Sequence, residues 1–315
     1  MIEASHSQTS TAPELDLRVQ LGRLALKNPV LVASGTFGYA REMAGVIPLP
    51  ALGGILPKTI TQSPRPGNAP WRTIETSSGL LNAIGLDNDG IDYFLANHWP
   101  YLRATGATII VSIAGKSLED FVLLAERLSE AEGLGAVELN VSCPNVSGGV
   151  DFGTDANLCF EVVSRVRKVL GCAIVTKLTP NVTRIVDIAR AAKDAGTDAV
   201  TCINTVLGMA VDWRKRKPML ANVVGGLSGP AIKPIALRCV YQVASQVGVP
   251  VIGVGGIATV DDMMEFLVAG ASAIQIGTAN YYDPMVSMNL IRGLSDALIS
   301  IGASSVREVI GTLKT

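Results

Sequence analysis

Histidine and charge are scarce in this 315-residue sequence, which narrows the chemistry open to it. The two histidines are His6 and His98, and neither follows a predicted strand. No His, Asp and Glu cluster has metal-ligand spacing, so we expect no catalytic metal. Charged residues make up 17% of the chain and nearly cancel, with 26 Lys and Arg against 27 Asp and Glu. This balance gives no support for binding to nucleic acid.

Long apolar runs are also missing, although 48% of the residues are hydrophobic. No stretch reaches the 18 or so apolar residues of a membrane-spanning helix, so we expect no contact with a membrane. The low charge and high hydrophobicity exclude a disordered chain. A hydrophobic sequence without a membrane span fits a sheet that is buried on both faces.

Paired cysteines are absent as well. The five cysteines are scattered, none forms a Cys-x-x-Cys pair, and no apolar signal segment lies near the start. This pattern predicts a reducing compartment, the cytoplasm. Residues 1–14 are rich in Ser, Thr and Ala, and we expect them to form a mobile tail before a single domain over residues 15–315.

Eight short apolar, β-branched runs alternate with helical patterns over most of the chain. Their hydrophobicity does not alternate, which is typical of parallel strands buried on both faces. Eight βα units favour an α/β fold of the (β/α)8 TIM-barrel type, with a doubly wound sheet as the alternative. The runs are Pro29–Ala33, Gly54–Pro57, Thr108–Ile113, Ala136–Asn140, Ala173–Lys177, Ala199–Ile203, Pro250–Val254 and Ala273–Ile276.

Long connections are predicted after strands two, four and six. Thr59–Ala107 follows strand two, Asn204–Leu227 follows strand six, and the connection after strand four contains Cys143. In a barrel all three leave the C-terminal face of the sheet, where active sites lie. Connections this long are usually functional or disordered.

Polar and glycine residues mark the predicted strand ends. A single polar residue at a strand end is not informative, since strand ends are polar and each residue has even odds of a structural role. A ring of such residues favours a functional site, because burying Lys or Asn is costly without a partner. The ring consists of Ser34, Lys58, Thr59, Ser112, Asn140, Lys177, Asn204, Thr205, Gly255, Gly256, Gly277 and Thr278.

The glycine turns after strands seven and eight predict a phosphate site. Gly255-Gly256 and Gly277-Thr278 could present backbone N–H groups to a phosphate, as in many barrels. Alternatively, glycine only makes the turns tight. Lys58 and Lys177 would bring positive charge to the barrel mouth, which suits an anionic ligand. In the structural interpretation these lysines form salt bridges or extend their ammonium groups to the solvent.

Cys143 is the strongest candidate for a catalytic residue. It follows Asn140 in a loop that Pro144 restrains and that continues into Gly148-Gly149, which could act as a hinge. A thiol with a pKa of about 8.5 can act as a general base after modest tuning. A lone cysteine is more often a small buried hydrophobe. We expect that role for the other four, which fall inside predicted strands and helices.

Five stretches resemble class 1 dihydroorotate dehydrogenases, and most closely the class 1B catalytic subunit. The likeness covers the chain from about Asn28 to Pro284. The stretches are Ala33-Ser-Gly-Thr-Phe-Gly38, Ser77-Ser-Gly-Leu-Leu-Asn-Ala-Ile-Gly-Leu86, Asn140-Val-Ser-Cys-Pro-Asn145, Ala221-Asn-Val-Val-Gly-Gly-Leu-Ser-Gly-Pro230 and Val254-Gly-Gly-Ile257.

The resemblance implies FMN-dependent oxidation of (S)-dihydroorotate to orotate in pyrimidine (UMP) synthesis, with Cys143 as the general base at C5. It implies hydride transfer from C6 to N5 of FMN. The residues implied to bind FMN are Ser34, Lys58, Thr59, Ser112, Asn140, Lys177, Ile203, Gly229, Gly255, Gly256, Gly277 and Thr278. Those implied to hold the substrate are Lys58, Asn82, Ala83, Ile84, Gly85, Leu86, Asn140, Asn204 and Thr205.

The resemblance also implies partners. In class 1B, electrons pass to NAD⁺ through a separate subunit that carries FAD and a [2Fe–2S] cluster, around a homodimeric core of catalytic subunits. This chain has no four-cysteine spacing for a cluster. The sequence departs from many relatives at Ser112, where they have asparagine, and this leaves the flavin contact there open.

Three other functions remain open from the sequence. A class 1A enzyme would reduce fumarate with the same barrel. An aldolase or isomerase would use Lys177 as a Schiff-base amine and the glycine turns for a substrate phosphate. A non-catalytic flavin-binding subunit would lack turnover of its own.

Overall fold

Eight short runs of buried apolar residues form the parallel strands of a barrel. The computed structural model describes residues 15–141 and 151–314. Around the sheet, barrel strands two and one are followed by eight, seven, six, five, four and three. Bridges between Ile55 and Ile109 and between Ile60 and Ile113 join strands two and three. The strands are Val30–Val32, Gly54–Ile55, Ile110–Ile113, Ala136–Asn140, Ala173–Leu178, Ala199–Cys202, Val251–Val254 and Ala273–Ile276.

This closure confirms the predicted (β/α)8 barrel and excludes the doubly wound sheet. The chain forms a single barrel domain with helices packed around the sheet. The α-helices are Gly90–Tyr93, Trp99–Ala104, Leu118–Ser129, Ala156–Val169, Ile185–Asp194, Lys233–Val247, Val260–Ala269, Ala279–Tyr282 and Val286–Ser300.

Local sequence signals set the helix ends. Ser117 caps helix Leu118–Ser129 in a capping box with Asp120, in which each side chain accepts a hydrogen bond from the other residue's backbone N–H. Thr259 and Asp262 form the same box at the start of Val260–Ala269, and Gly270 ends that helix with a φ of 115°. Because both boxes satisfy N–H groups of the first turn, they fix where these helices begin.

The connections after strands two and six contain ordered strands. They pair as one antiparallel sheet of four strands, in the order Val206–Met209, Val224–Ser228, Gly79–Asn82 and Thr73–Thr76. The sheet packs closely on the barrel mouth at Gly226, where an added Cβ would lie 2.0 Å from Oγ1 of Thr205. We name this sheet the roof. The predicted long connection after strand four lies largely outside the described residues, as does the predicted tail.

The opposite end of the barrel carries further paired strands and a buried carboxylate. Strands Val19–Leu21 and Leu24–Leu26 form a hairpin at this end, whereas another pair, Val211–Asp212 with Lys217–Pro218, lies in the roof connection at the barrel mouth. Asp198, which precedes strand six, accepts hydrogen bonds from the backbone N–H groups of Arg23 and Ile174 at 3.0 and 2.9 Å. The Arg23 and Arg167 guanidiniums donate to it at 2.9 and 3.2 Å. Asp198 therefore ties the hairpin to the barrel.

We expect Asp198→Asn to lower the free energy of unfolding by about 2–3 kcal/mol, because two guanidiniums lose a buried counter-charge. Urea denaturation measures this loss as a lower midpoint with an unchanged slope. The matched control is Glu132→Gln, which breaks the exposed Glu132–Arg103 pair and should cost less than about 0.5 kcal/mol. Equal midpoints for the two variants would contradict the assignment.

Candidate active site

The C-terminal ends of the barrel strands and the roof enclose one cavity that contains most of the residues predicted from the sequence. Parallel strands bring their carboxyl ends to the same rim, so side chains far apart in sequence meet there. The predicted residues that line it are Ser34, Lys58, Thr59, Asn82, Ile84, Gly85, Leu86, Asn140, Lys177, Ile203, Asn204, Thr205, Gly229, Gly255, Gly256, Gly277 and Thr278.

Ser112 lies beneath this cavity instead of lining it. Its side chain is fully buried, and its Oγ is 3.0 Å from Oγ1 of Thr59. Thr59 in turn donates to Oγ of Ser34 at 3.4 Å. Ser112 therefore supports two cavity residues from below, and the short reach of serine suits this position.

Ala83 is the other described residue of the predicted set that does not line the cavity. Ala83 is buried against Leu81 and Leu220 in a small core of the roof. Its N–H donates to the carbonyl of Arg72 at 2.8 Å. Cys143 lies outside the described residues.

Side-chain amides from two barrel strands and the roof are held in place within the cavity. Nδ2 of Asn204 donates to Oδ1 of Asn140 at 3.2 Å. The backbone N–H of Thr205 donates to Oδ1 of Asn204 at 2.9 Å. From the roof, Nδ2 of Asn82 donates to the carbonyl of Gly226 at 3.2 Å. Each amide has its orientation fixed by a protein partner, as a preorganised binding site requires.

The glycine turns leave room for a ligand at the rim. Gly255 and Gly256 have φ values of 134° and 77°, a conformation that L side chains rarely adopt. A Cβ on Gly277 would meet no protein atom within 4 Å, although this residue lines the cavity. Together with the lysines and amides of the rim, these turns fit the phosphate and polar ring edge of a flavin nucleotide.

Helix N-termini offer little to this cradle. Helix Ala279–Tyr282, after strand eight, has four residues. Helix Val260–Ala269, after strand seven, uses the N–H of Asp262 in its own capping box. Anion binding at these turns would therefore depend on the backbone of the glycine residues.

A buried carboxylate lies one layer below the cavity and was not predicted from the sequence. Glu138, in the middle of strand four, is fully buried. Its Oε2 accepts hydrogen bonds from Oγ1 of Thr201 at 2.9 Å and from Nε2 of Gln275 at 2.8 Å. Its Oε1 lies 3.9 Å from Nζ of Lys177. The available signal was a glutamate inside an apolar strand, since such residues are almost never buried unless paired.

Other cavity residues that were not predicted come from the roof, from a short helix and from loops. Oγ1 of Thr278 donates to Oγ of Ser228 at 2.7 Å, which joins the rim to the roof. The hydroxyl of Tyr281 donates to the carbonyl of Gly35 at 3.2 Å. Thr36 and Asp87 also line the cavity. Ser228 and Thr36 lie in two of the family-like stretches, whereas nothing in the local pattern marks Tyr281 or Asp87.

The four described cysteines are unsuited to act as bases. Burial raises the pKa of Cys159 to about 12 and the pKa of Cys202 well above its ordinary value. Burial also raises the pKa of Cys172 and Cys239. The side chains of Cys159, Cys202 and Cys239 are buried in the core and that of Cys172 packs against it, as the sequence predicts.

The described part of the chain has neither a metal-binding cluster nor a membrane-spanning helix. Residues 15–141 and 151–314 hold no group of three or more His, Cys, Asp or Glu side chains that could bind a metal ion. In the same ranges, no helix has the length and apolar character needed to cross a membrane.

Known proteins resemble this chain over nearly its whole length. The sequence model of the dihydroorotate dehydrogenase family matches residues 16–298. A Geotalea uraniireducens protein named "dihydroorotate dehydrogenase B (NAD(+)), catalytic subunit" is 49% identical over 301 residues, covering 95% of this chain and 99% of that protein. A Bacteroides thetaiotaomicron protein of the same name is 49% identical over 300 residues, with coverage of 95% and 99%. A third, from Geobacter sulfurreducens, is 48% identical over 300 residues, with coverage of 95% and 98%.

Proposed function

This chain belongs to the dihydroorotate dehydrogenase family and is an oxidoreductase, and from that premise we propose a specific reaction for it. The chain oxidises (S)-dihydroorotate to orotate with FMN, as the catalytic subunit of an NAD⁺-linked enzyme of pyrimidine synthesis. The observation that carries the proposal is one cavity in which the amides of Asn82, Asn140 and Asn204 converge with Lys58 and Lys177.

Substrate recognition follows from the chemistry of these groups. Dihydroorotate has a carboxylate and a ring of alternating amide N–H and carbonyl groups. The Lys58 ammonium provides a counter-charge for the carboxylate, and asparagine amides supply both donors and acceptors for the ring. The Asn204–Asn140 hydrogen bond orients two of these amides before the substrate binds, which lowers the entropic cost of binding.

Oxidation removes two hydrogens from adjacent carbons of the substrate. In the proposal Cys143, as thiolate, takes the proton from C5, and the electron pair of that C–H bond forms the C5–C6 double bond as the C6 hydrogen leaves as hydride. Bound FMN supplies the hydride acceptor at its N5. Lys177, at the end of strand five, places positive charge where the reduced cofactor carries negative charge.

The electron acceptor and the partner are parts of the same proposal. The names of the relatives contain both "NAD(+)" and "catalytic subunit", which supports a second subunit that passes electrons to NAD⁺. We assign FAD and the [2Fe–2S] cluster to that subunit, because this sequence has no four-cysteine spacing for a cluster. The proposal includes a homodimeric core of catalytic subunits and a cytoplasmic location.

The aldolase alternative is disfavoured by the surroundings of Lys177. A Schiff base needs an unprotonated amine that can attack a carbonyl carbon. Nζ of Lys177 instead lies 3.9 Å from the buried carboxylate of Glu138. An ammonium paired with a carboxylate has no lone pair for that attack.

The test is to purify the chain alone and together with a candidate electron-transfer subunit. We expect the chain alone to be yellow, to be bleached by dihydroorotate without oxygen, and to turn over with an artificial acceptor. Turnover with NAD⁺ should require the second subunit, and fumarate should not serve as acceptor. A chain that takes up no flavin would refute the proposal, and turnover with fumarate would assign it to class 1A.

A further inference from the structure

We propose that Glu138 is a positioning residue that fixes the ammonium of Lys177 at the cavity floor and balances its charge, and so sets how readily the bound flavin is reduced. The inference rests on the proposed function in one respect, that a flavin binds in the cavity that Lys177 lines. It concerns a residue that touches neither flavin nor substrate.

The strand register places Glu138 directly below the cavity. Asn140 and Lys177 are paired across strands four and five, and both line the cavity. Side chains two residues apart on a strand point the same way, so Glu138 points into the barrel one layer beneath Asn140. Its carboxylate therefore approaches Lys177 from the side away from the cavity.

Two neutral donors hold the carboxylate in this position. Thr201, on strand six, and Gln275, on strand eight, both donate to Oε2 of Glu138. Oε1 has no hydrogen-bond partner among the described residues. At 3.9 Å from Nζ of Lys177, this oxygen makes an ion pair that is too long for a hydrogen bond. The N–H donors of the ammonium therefore remain available to the cavity.

The complete burial of Glu138 makes the pairing obligatory for its carboxylate. The Glu138 side chain is 0% exposed and the Lys177 side chain 9%. A buried charge without a partner is strongly unfavourable and is usually neutralised. Within the described residues, Glu138 is the carboxylate that lies within 4 Å of Nζ of Lys177. The Glu138 carboxylate therefore depends on Lys177 to stay charged, whereas the Lys177 ammonium lines the cavity and can be solvated or bound there without Glu138.

The Glu138–Lys177 pair sets the electrostatic potential at the proposed flavin site. An isolated ammonium would favour the reduced, negatively charged cofactor strongly, whereas the carboxylate behind it offsets part of that effect. Glu138→Gln keeps the shape of the side chain and removes the offsetting charge. The flavin should then be easier to reduce.

The experiment measures the flavin midpoint potential of the purified holoprotein by spectroelectrochemistry. We expect Glu138→Gln to raise the ratio of reduced to oxidised flavin at a fixed applied potential at least tenfold, which is about 30 mV for a two-electron couple. The same substitution in a Lys177→Met background should change that ratio less than twofold, because an unpaired buried Glu138 would already be neutral there.

The control is Asp198→Asn, which alters the buried carboxylate at the opposite end of the barrel. It should lower the stability of the protein and leave the flavin potential unchanged. The comparison therefore distinguishes a general loss of stability from a specific effect on Lys177. An unchanged or lower potential in Glu138→Gln would overturn the inference, as would an equal shift with Met at position 177. A wild-type protein without flavin would refute the proposed function instead. If Glu138→Gln does not fold, Gln275→Leu replaces it and should raise the potential by weakening the hold on the carboxylate.

Discussion

We expect Cys143→Ser to slow the reduction of flavin by dihydroorotate by about 10²- to 10⁴-fold, the usual contribution of a general base. Serine is a far weaker acid than cysteine, so it is deprotonated much less at neutral pH. The rate should therefore keep rising with pH, and its optimum should move to higher values. Anaerobic stopped-flow bleaching of the flavin measures the step, free of any later electron transfer.

The yellow colour and the fold of this variant should be unchanged, because the residues proposed to bind FMN are untouched. The matched control is Cys172→Ser, which changes a cysteine whose pKa is raised by burial and which precedes strand five at the opposite end of the barrel. It should reduce flavin at the wild-type rate. If Cys143→Ser also reduced flavin at that rate, Cys143 would have no part in the mechanism.

Gly277→Val should yield a folded protein that binds FMN more weakly than the wild type. The backbone at Gly277 lies outside the positive-φ region, and a Cβ there meets no protein atom within 4 Å. A valine is thus tolerated by the barrel but occupies space that the proposal assigns to the cofactor. Overpacking costs about 1–3 kcal/mol, so the affinity for FMN should fall by up to roughly a hundredfold.

The control for this substitution is Gly171→Val. Gly171 also lacks a positive φ, and a Cβ added to it would meet no atom within 4 Å, but it precedes strand five at the far end of the barrel. Titration of the apoproteins with FMN, followed by flavin fluorescence, compares the two. Equal affinities in both variants would place the cofactor away from the turn after strand eight.

The sequence predicts the barrel well because its strands are determined locally. Each strand is a short apolar run buried on both faces, and Ala136–Asn140 and Ala273–Ile276 have the predicted bounds. Helix caps such as Ser117 are similarly local. The roof strands were missed because Gly79, Gly225 and Gly226 give them little β-propensity. They are strands because segments distant in sequence pair with each other.

In the candidate site, too, the sequence predicts the local features and misses those that depend on contacts between distant segments. Strand ends predict which side chains reach the rim, because every parallel strand presents its carboxyl end there. They do not predict the layer beneath, where Ser112 supports Thr59 and Glu138 faces Lys177. Those contacts depend on the stagger of neighbouring strands, which a single strand's pattern does not reveal.

The roof affects the order in which the protein folds during its synthesis on the ribosome. The hydrogen bond from Asn82 to Gly226 spans 144 positions of the chain, and pairing over such separations is slow to form. A nascent polypeptide can build its early βα units long before Gly226 emerges. The cavity therefore becomes complete only late in synthesis, and capture of the proposed cofactor should mark the end of maturation instead of guiding it.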